Sequence, residues 1–375
     1  MVLKNIIIKA IVLISKALNL PERNYSSKPN RFLLVTPAGV GDTLWATFAI
    51  RALKENYPDS YLGVLVTKTG GDILKGNPNI DELFIFKRGF KGFLSLPKLL
   101  KNLRRRKFTV ALMFHAWDRI VWLICYFSGA GEIKGFKGTR GKRLDFILTK
   151  VITLPGDVCH QIEKYMFLVQ ELNVYTSKKS MDIYLSDGEK ETINKFLNCK
   201  GIDKKSLLIG LHPGGRHVYK LWDQKNFIEV GNALVDKFNC KIIITGSAKE
   251  KKLDGEIASR IKNAISVGGK LNIRETAALI ERLDAFVSND TGPMHIAFTL
   301  KTPTVALFSP TNPLGCGPYY CETASVIEKP KPEECKACTG NKCYTPVCME
   351  QITVSEVTAE VEKLLRKLDI KPQVK

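Results

Sequence analysis

The sequence predicts an α/β protein made of two Rossmann-like, doubly wound domains that face a central cleft. Three observations carry that expectation. Three apolar runs, at residues 31–35, 208–211 and 285–287, each read as a buried strand that ends in a polar, glycine-bearing turn. One lies near the start of the chain and two in its second half, so each half offers a strand end of the kind at which open α/β sheets bind ligands. Size agrees: 375 residues, 45% of them hydrophobic, suffice for two cores of about 150 residues each.

The first unit opens with the strand Arg31–Val35, the turn Thr36–Thr43 and a helix from Leu44 to Asn56. Pro58-Asp59 stops that helix, and Tyr61–Val66 gives the next strand, completing a βαβ unit. Its turn carries Gly39, Gly41 and Asp42 but lacks the third glycine of a dinucleotide fingerprint. Glycines there admit close approach of backbone or substrate. Asp42 reads in two ways, as the N-cap of the helix or as a carboxylate aimed into the space above the sheet. A cap also fixes position, so the two readings are compatible.

In the second half, Leu208–Leu211 runs into His212-Pro213-Gly214-Gly215 and then Lys220-Leu221-Trp222. Lys220 is a phosphate partner or a solvated loop lysine. Further on, Ala285–Val287 breaks at Asn289-Asp290-Thr291-Gly292, an apolar helix follows through Met294, Ile296, Ala297 and Leu300, and Thr304–Phe308 forms the next strand. Pro293 fits the first turn, where a missing N–H has no intrahelical partner. Free N–H groups and the positive dipole end therefore face a strand end, which suits a diphosphate. Asp290, Thr291, Gly292 and His295 are the polar groups placed to grip it. The alternative is a plain capped helix, with Asp290 or Thr291 as N-cap and His295 a satisfied neighbour. A helix-like segment at Glu189–Leu197 and a polar connector at Lys200–Lys205 precede this half, and Thr353-x-x-Glu356 is a capping box that opens a final helix.

Net charge is +20, which favours an anionic partner: nucleic acid, membrane or a phosphorylated substrate. Two basic clusters stand out, Lys101–Lys107 and the glycine-rich Lys134–Arg143, the latter read as a phosphate-following loop. No RNA-binding signature accompanies either, so nucleic acid is not expected. Met1–Leu20 is apolar around Lys4, Lys9 and Lys16; the interruption leaves less than the roughly 20 uncharged residues of a spanning helix. It reads as a helix in the headgroup region, the alternatives being one packed on the first domain and a single-span signal anchor. Cys125, Cys159, Cys199 and Cys240 read as small core residues, while Cys335, Cys338, Cys343 and Cys348 crowd closely enough for a metal or cluster, in a spacing that matches no common site well, or else are reduced thiols or an adventitious disulfide.

Taken together, the motifs resemble the heptosyltransferases of glycosyltransferase family nine. Leu34–Leu44 resembles that family's opening strand–turn–helix, continued by Ala49–Lys54 and Asn77–Leu83. His212–Gly215, Lys220–Trp222, Ile244–Glu250, Ser288–Ala297 and Leu307–Pro313 follow in family order. The resemblance implies a GT-B fold and an inverting, cofactor-free and metal-independent transfer of heptose from an ADP-sugar to the lipid A-linked inner core of lipopolysaccharide. It implies four segments: the N-terminal helix at 1–30, an acceptor-side domain at 31–178, a nucleotide-sugar domain at 179–352, and a helix at 353–375 crossing back to the first domain. Asp42 matches the catalytic carboxylate. Lys220, Glu250, Asp290, Thr291, Gly292, Pro293, Met294 and His295 fall on the donor site, with Glu250 toward the ribose. Gly39, Gly41, Thr43, Lys134, Lys137, Arg140 and Arg143 fall on the acceptor side. Such an acceptor places the enzyme in the cytoplasm, peripheral on the inner face of the membrane. A different nucleotide-sugar, or an epimerase, is the alternative; a dehydrogenase would want the third glycine and a ribose-binding acid about 20 residues on.

Overall fold

The computed structural model describes residues 9, 11–15, 21–26, 30–115, 118–137, 144–156, 158, 160–309, 311–330, 343 and 347–372. They form two compact units, dividing between Asp182 and Ile183.

The first unit alternates strand and helix: β1 (Arg31–Val35), α1 (Val40–Asn56), β2 (Tyr61–Thr67), α2 (Lys68–Leu74), β3 (Glu82–Phe86), α3 (Gly89–Arg105), β4 (Val110–Met113), α4 (Arg119–Phe127), β5 (Glu132–Phe136), β6 (Lys150–Ile152) and α5 (Gln161–Gln170). Its six strands lie in the order β3-β2-β1-β4-β5-β6, all parallel. Helices on both faces leave β1 almost wholly buried, which is why it reads as continuous Phe-Leu-Leu-Val rather than alternating.

The second unit repeats the plan with α6 (Asp187–Asn198), β7 (Leu208–His212), α7 (Gln224–Phe238), β8 (Lys241–Ile244), α8 (Lys251–Ser259), β9 (Ala264–Ser266), α9 (Ile273–Arg282), β10 (Ala285–Asn289), α10 (Gly292–Leu300), β11 (Thr304–Phe308), β12 (Ala324–Glu328) and α11 (Val354–Arg366). Strand order is β12-β11-β10-β7-β8-β9. In both sheets the winding reverses beside the first strand, at β1/β4 and at β7/β10. Loops leaving those neighbours diverge and open a crevice at their carboxyl ends.

Several expectations are corrected. Helix α1 starts at Val40, so Gly39 is the N-cap and Asp42 sits in the first turn. Lys134 is not in a loop but in β5, 7% exposed, its stem buried and its ammonium 2.9 Å from Glu132. Helix α11 does not carry its apolar stripe to the first domain: Val357, Val361, Leu364 and Leu365 belong to the core of the second unit, with Phe227, Ile244 and Val287. That stripe fills the groove beside α7, β10 and β11, where the second sheet needs cover. Cys199 is exposed, beyond the end of α6. Of the N-terminal residues described, Val12 is buried in the first unit's core, whereas Ile11, Leu13 and Ile14 are exposed. No helix among the described residues is long and apolar enough to cross a membrane.

Candidate active site

In the first unit the crevice lies between β1 and β4, whose register pairs Val35 with Met113. The chain leaving β1 turns through Pro37, Ala38 and Gly39 into α1. Asp42 Oδ2 accepts a hydrogen bond from Gly39 N at 3.2 Å, and Thr43 Oγ1 donates to Gly39 O at 2.8 Å. The turn is thus locked by its own side chains, and Asp42 keeps a quarter of its side chain exposed. From the end of β4, His115 brings Nδ1 to 3.3 Å from Asp42 Oδ1. Behind them Tyr165 of α5 is buried and stacked on Phe114, with centroids 4.7 Å apart. Burial, and then the Asp42 carboxylate, push its phenol well above the ordinary range. The result is a partly exposed carboxylate beside an imidazole, over a closed aromatic floor.

The second unit assembles its crevice from β7 and β10, where His212 pairs with Ser288. Asn289, fully buried, ties the two exits together: Nδ2 donates to Pro213 O at 2.9 Å and Oδ1 accepts from Trp222 N at 3.1 Å. Trp222 Nε1 in turn donates to Ile352 O at 2.9 Å. Asp290 then projects into the crevice, where Lys220 Nζ donates to its Oδ2 at 2.5 Å and Thr311 Oγ1 at 2.6 Å. Burial alone would raise the Asp290 carboxyl, but Lys220, His295 and Thr311 outweigh it and hold it below its ordinary value. Beside this cluster the backbone enters α10 at Thr291-Gly292-Pro293, and Thr291 is the N-cap without a side-chain cap bond. Its opening N–H groups are not consumed by a capping side chain, which is the condition for an anion site.

Glu250 lies across β7 and β8. Its Oε1 accepts from Gly215 N and its Oε2 from Ser247 N, each at 2.7 Å. Those bonds, with His212, override the effect of burial and keep its carboxyl below the usual range. Burial keeps His212 depressed in turn, and its Nδ1 is 2.9 Å from Thr245 O. One helical turn on, Asp254 is fully buried with neither carboxylate oxygen hydrogen-bonded, and burial with nearby Glu250 pushes it up to about 7.

Sequence reading therefore named residues that do gather, Asp42 in one unit and Lys220, Asp290, Thr291, Gly292, Pro293 and His295 in the other. Met294 joins only through its backbone, because its side chain is fully buried. Gly39, Gly41 and Thr43 build the turn around Asp42, with Thr43 itself buried. Lys137 is exposed after β5, while Arg140 and Arg143 lie outside the described residues. So do Cys335 and Cys338; Cys348 is buried, Cys343 is half-buried, and no metal-binding group of His, Cys, Asp or Glu occurs among the described residues. Sequence reading assigned no site role to His115, Tyr165, Asn289 or Thr311. For Thr311, membership of the Ser309–Pro313 motif was a usable signal; for His115 there was none.

Comparisons with known proteins bear on this site. The model of glycosyltransferase family 9 (heptosyltransferase) matches residues 96–346, which include the Lys220 and Asp290 turns but not Asp42. The lipopolysaccharide core heptosyltransferase OpsX of Haemophilus influenzae is 26% identical over 301 residues, covering 79% of this chain and 83% of its own. The crystal structure of a family 9 glycosyl transferase from Veillonella parvula shares the fold with a TM-score of 0.78 at 21% identity, covering 92% of this chain and 99% of that one. ADP-heptose lps heptosyltransferase II of Escherichia coli gives 0.74 at 22% identity, over 90% and 99%.

Proposed function

The chain belongs to glycosyltransferase family 9, and we propose that it transfers heptose from ADP-heptose to the lipid A-linked inner core of lipopolysaccharide, inverting the anomeric centre without a metal. The observation that carries this reading is the donor-side turn, in which Lys220 rests on Asp290 beside the N–H groups that open α10. A sugar diphosphate needs a cation and backbone donors at one strand end, and this turn supplies both. The choice of heptose and of a lipopolysaccharide acceptor is supported by the similarity to lipopolysaccharide heptosyltransferases.

In this mechanism the acceptor hydroxyl oxygen attacks the anomeric carbon as the bond from that carbon to the diphosphate oxygen breaks. Asp42 takes the hydroxyl proton, and ADP leaves with the bonding pair. Lys220 neutralises the charge growing on the leaving diphosphate, the task that falls to a cation where no metal serves. The N–H groups of Gly292 and Met294 hold the phosphate oxygens, Asp290 orients Lys220, and Glu250 accepts from the ribose. The membrane-bound acceptor makes the enzyme a peripheral protein of the inner face of the cytoplasmic membrane, assisted by residues 1–20 and the exposed Lys137.

Thermal stabilisation by ADP, UDP and NAD, followed by a panel of ADP-sugars offered with defined lipopolysaccharide cores, tests the reading. It requires ADP to stabilise most and ADP-heptose to be consumed with release of ADP. Preference for UDP, or transfer abolished by EDTA and restored by Mg²⁺, would contradict it.

A further inference from the structure

Helix α3 divides cleanly into two faces. Leu103 is buried in the first unit's core, and Leu96, Leu99 and Leu100 pack against it. The opposite face carries Phe90, Phe93 and Leu94, exposed by 76%, 66% and 65%, and then the exposed Lys98, Lys101 and Arg105. At 3.6 residues per turn these six fall within an arc of roughly 140°. The stripe is therefore continuous, apolar over its first turns and cationic over its last. No acidic residue occurs anywhere from Lys87 to Lys107. Arg106 just beyond is paired with Glu82, yet among the described residues Lys98, Lys101 and Arg105 have no carboxylate partner.

Three large apolar side chains standing together in water mark a contact surface. The flanking charge selects its occupant. A second copy packed through this face would set cation against cation if parallel and cation against the apolar end if antiparallel, whereas an anionic bilayer satisfies both halves, accepting the aromatic end at its acyl boundary and the cations among its phosphates. Glycine 129 links this helix to the N-terminal segment, since a side chain there would meet both Glu22 O and Arg104 Cγ. Glu22, just after the apolar N-terminal stretch, thus lies beside the cationic end of α3.

We propose that the exposed face of α3 docks on an anionic lipid bilayer, with Phe90, Phe93 and Leu94 entering the headgroup–acyl boundary and Lys98, Lys101 and Arg105 lying against lipid phosphates. This rests on the membrane-surface reading above and names the element that executes it. The test is co-sedimentation of the full chain with vesicles of equal parts phosphatidylglycerol and phosphatidylcholine, against pure phosphatidylcholine. Two variants are compared, Phe90→Ser/Phe93→Ser/Leu94→Ser and Lys98→Glu/Lys101→Glu/Arg105→Glu. Each should weaken binding to the anionic vesicles at least about tenfold, with ADP binding unchanged. If the apolar variant melts early, the charge variant alone decides. Both variants binding like the wild type would overturn the proposal while leaving the membrane reading intact. No binding by the wild type at low salt would end both. Sedimentation of the wild type as a dimer that the apolar variant dissolves would assign the face to a second copy instead.

Discussion

Asp254 shows how far one side chain can be read. Its carboxyl is buried without a hydrogen-bond partner and titrates at about 7 rather than its ordinary 3.8. The folded chain thus holds a proton that the unfolded chain releases as pH rises above about 4. Folded stability is lost progressively from there to about pH 7, where the folded group ionises as well. Asp254→Asn should therefore leave the melting temperature nearly unchanged at pH 4 and raise it at pH 8. A variant less stable than wild type at pH 8 would show that the carboxylate has a partner. Lys220 is read from its charge: Lys220→Ala should lower kcat about 10²- to 10³-fold at saturating donor, the usual cost of removing one positioned donor at a developing anion. Unchanged kcat would remove Lys220 from leaving-group stabilisation.

At the scale of elements, legibility followed the range over which each feature is decided. The strand β10, its break at Asn289 and the helix opened by Pro293 are punctuated locally, so the donor-side turn was readable residue by residue. Which side of α10 faces the crevice is a matter of helical phase, and Met294, one position from His295, fell inside. His115 was illegible because only the β1–β4 pairing brings it to Asp42, from more than 70 positions along the chain. Lys134 was misread because glycines and cations look like a loop, while burial of a lysine stem depends on neighbouring strands. The apolar spacing of α11 predicted a helix but could not say which core receives it. Its place in the second unit makes Leu365→Ala a core truncation, expected to cost about 2–5 kcal/mol in chemical denaturation. A loss below about 0.5 kcal/mol, the range of surface substitutions, would mean the helix is not part of that core.

For the whole molecule, +20 net charge, an apolar N-terminal stretch and the bare face of α3 all bear on where the chain works. Removing residues 1–24 takes away exposed Ile11, Leu13 and Ile14 but also buried Val12 and the Arg23 contact with Ala130. The truncated protein should bind anionic vesicles more weakly and still transfer sugar to a detergent-soluble acceptor. Loss of folding instead would assign the segment to the first unit's core. The proposed function assigns ADP-heptose to the Asp290 turn and activation of the acceptor hydroxyl to Asp42. It is tested most directly by measuring transfer from ADP-heptose, as ADP released and acceptor mass gained, in wild type and Asp42→Asn alongside ADP affinity. Removal of the positioned base should lower kcat by about 10²- to 10⁴-fold with ADP affinity unchanged. Wild-type turnover by Asp42→Asn would contradict it.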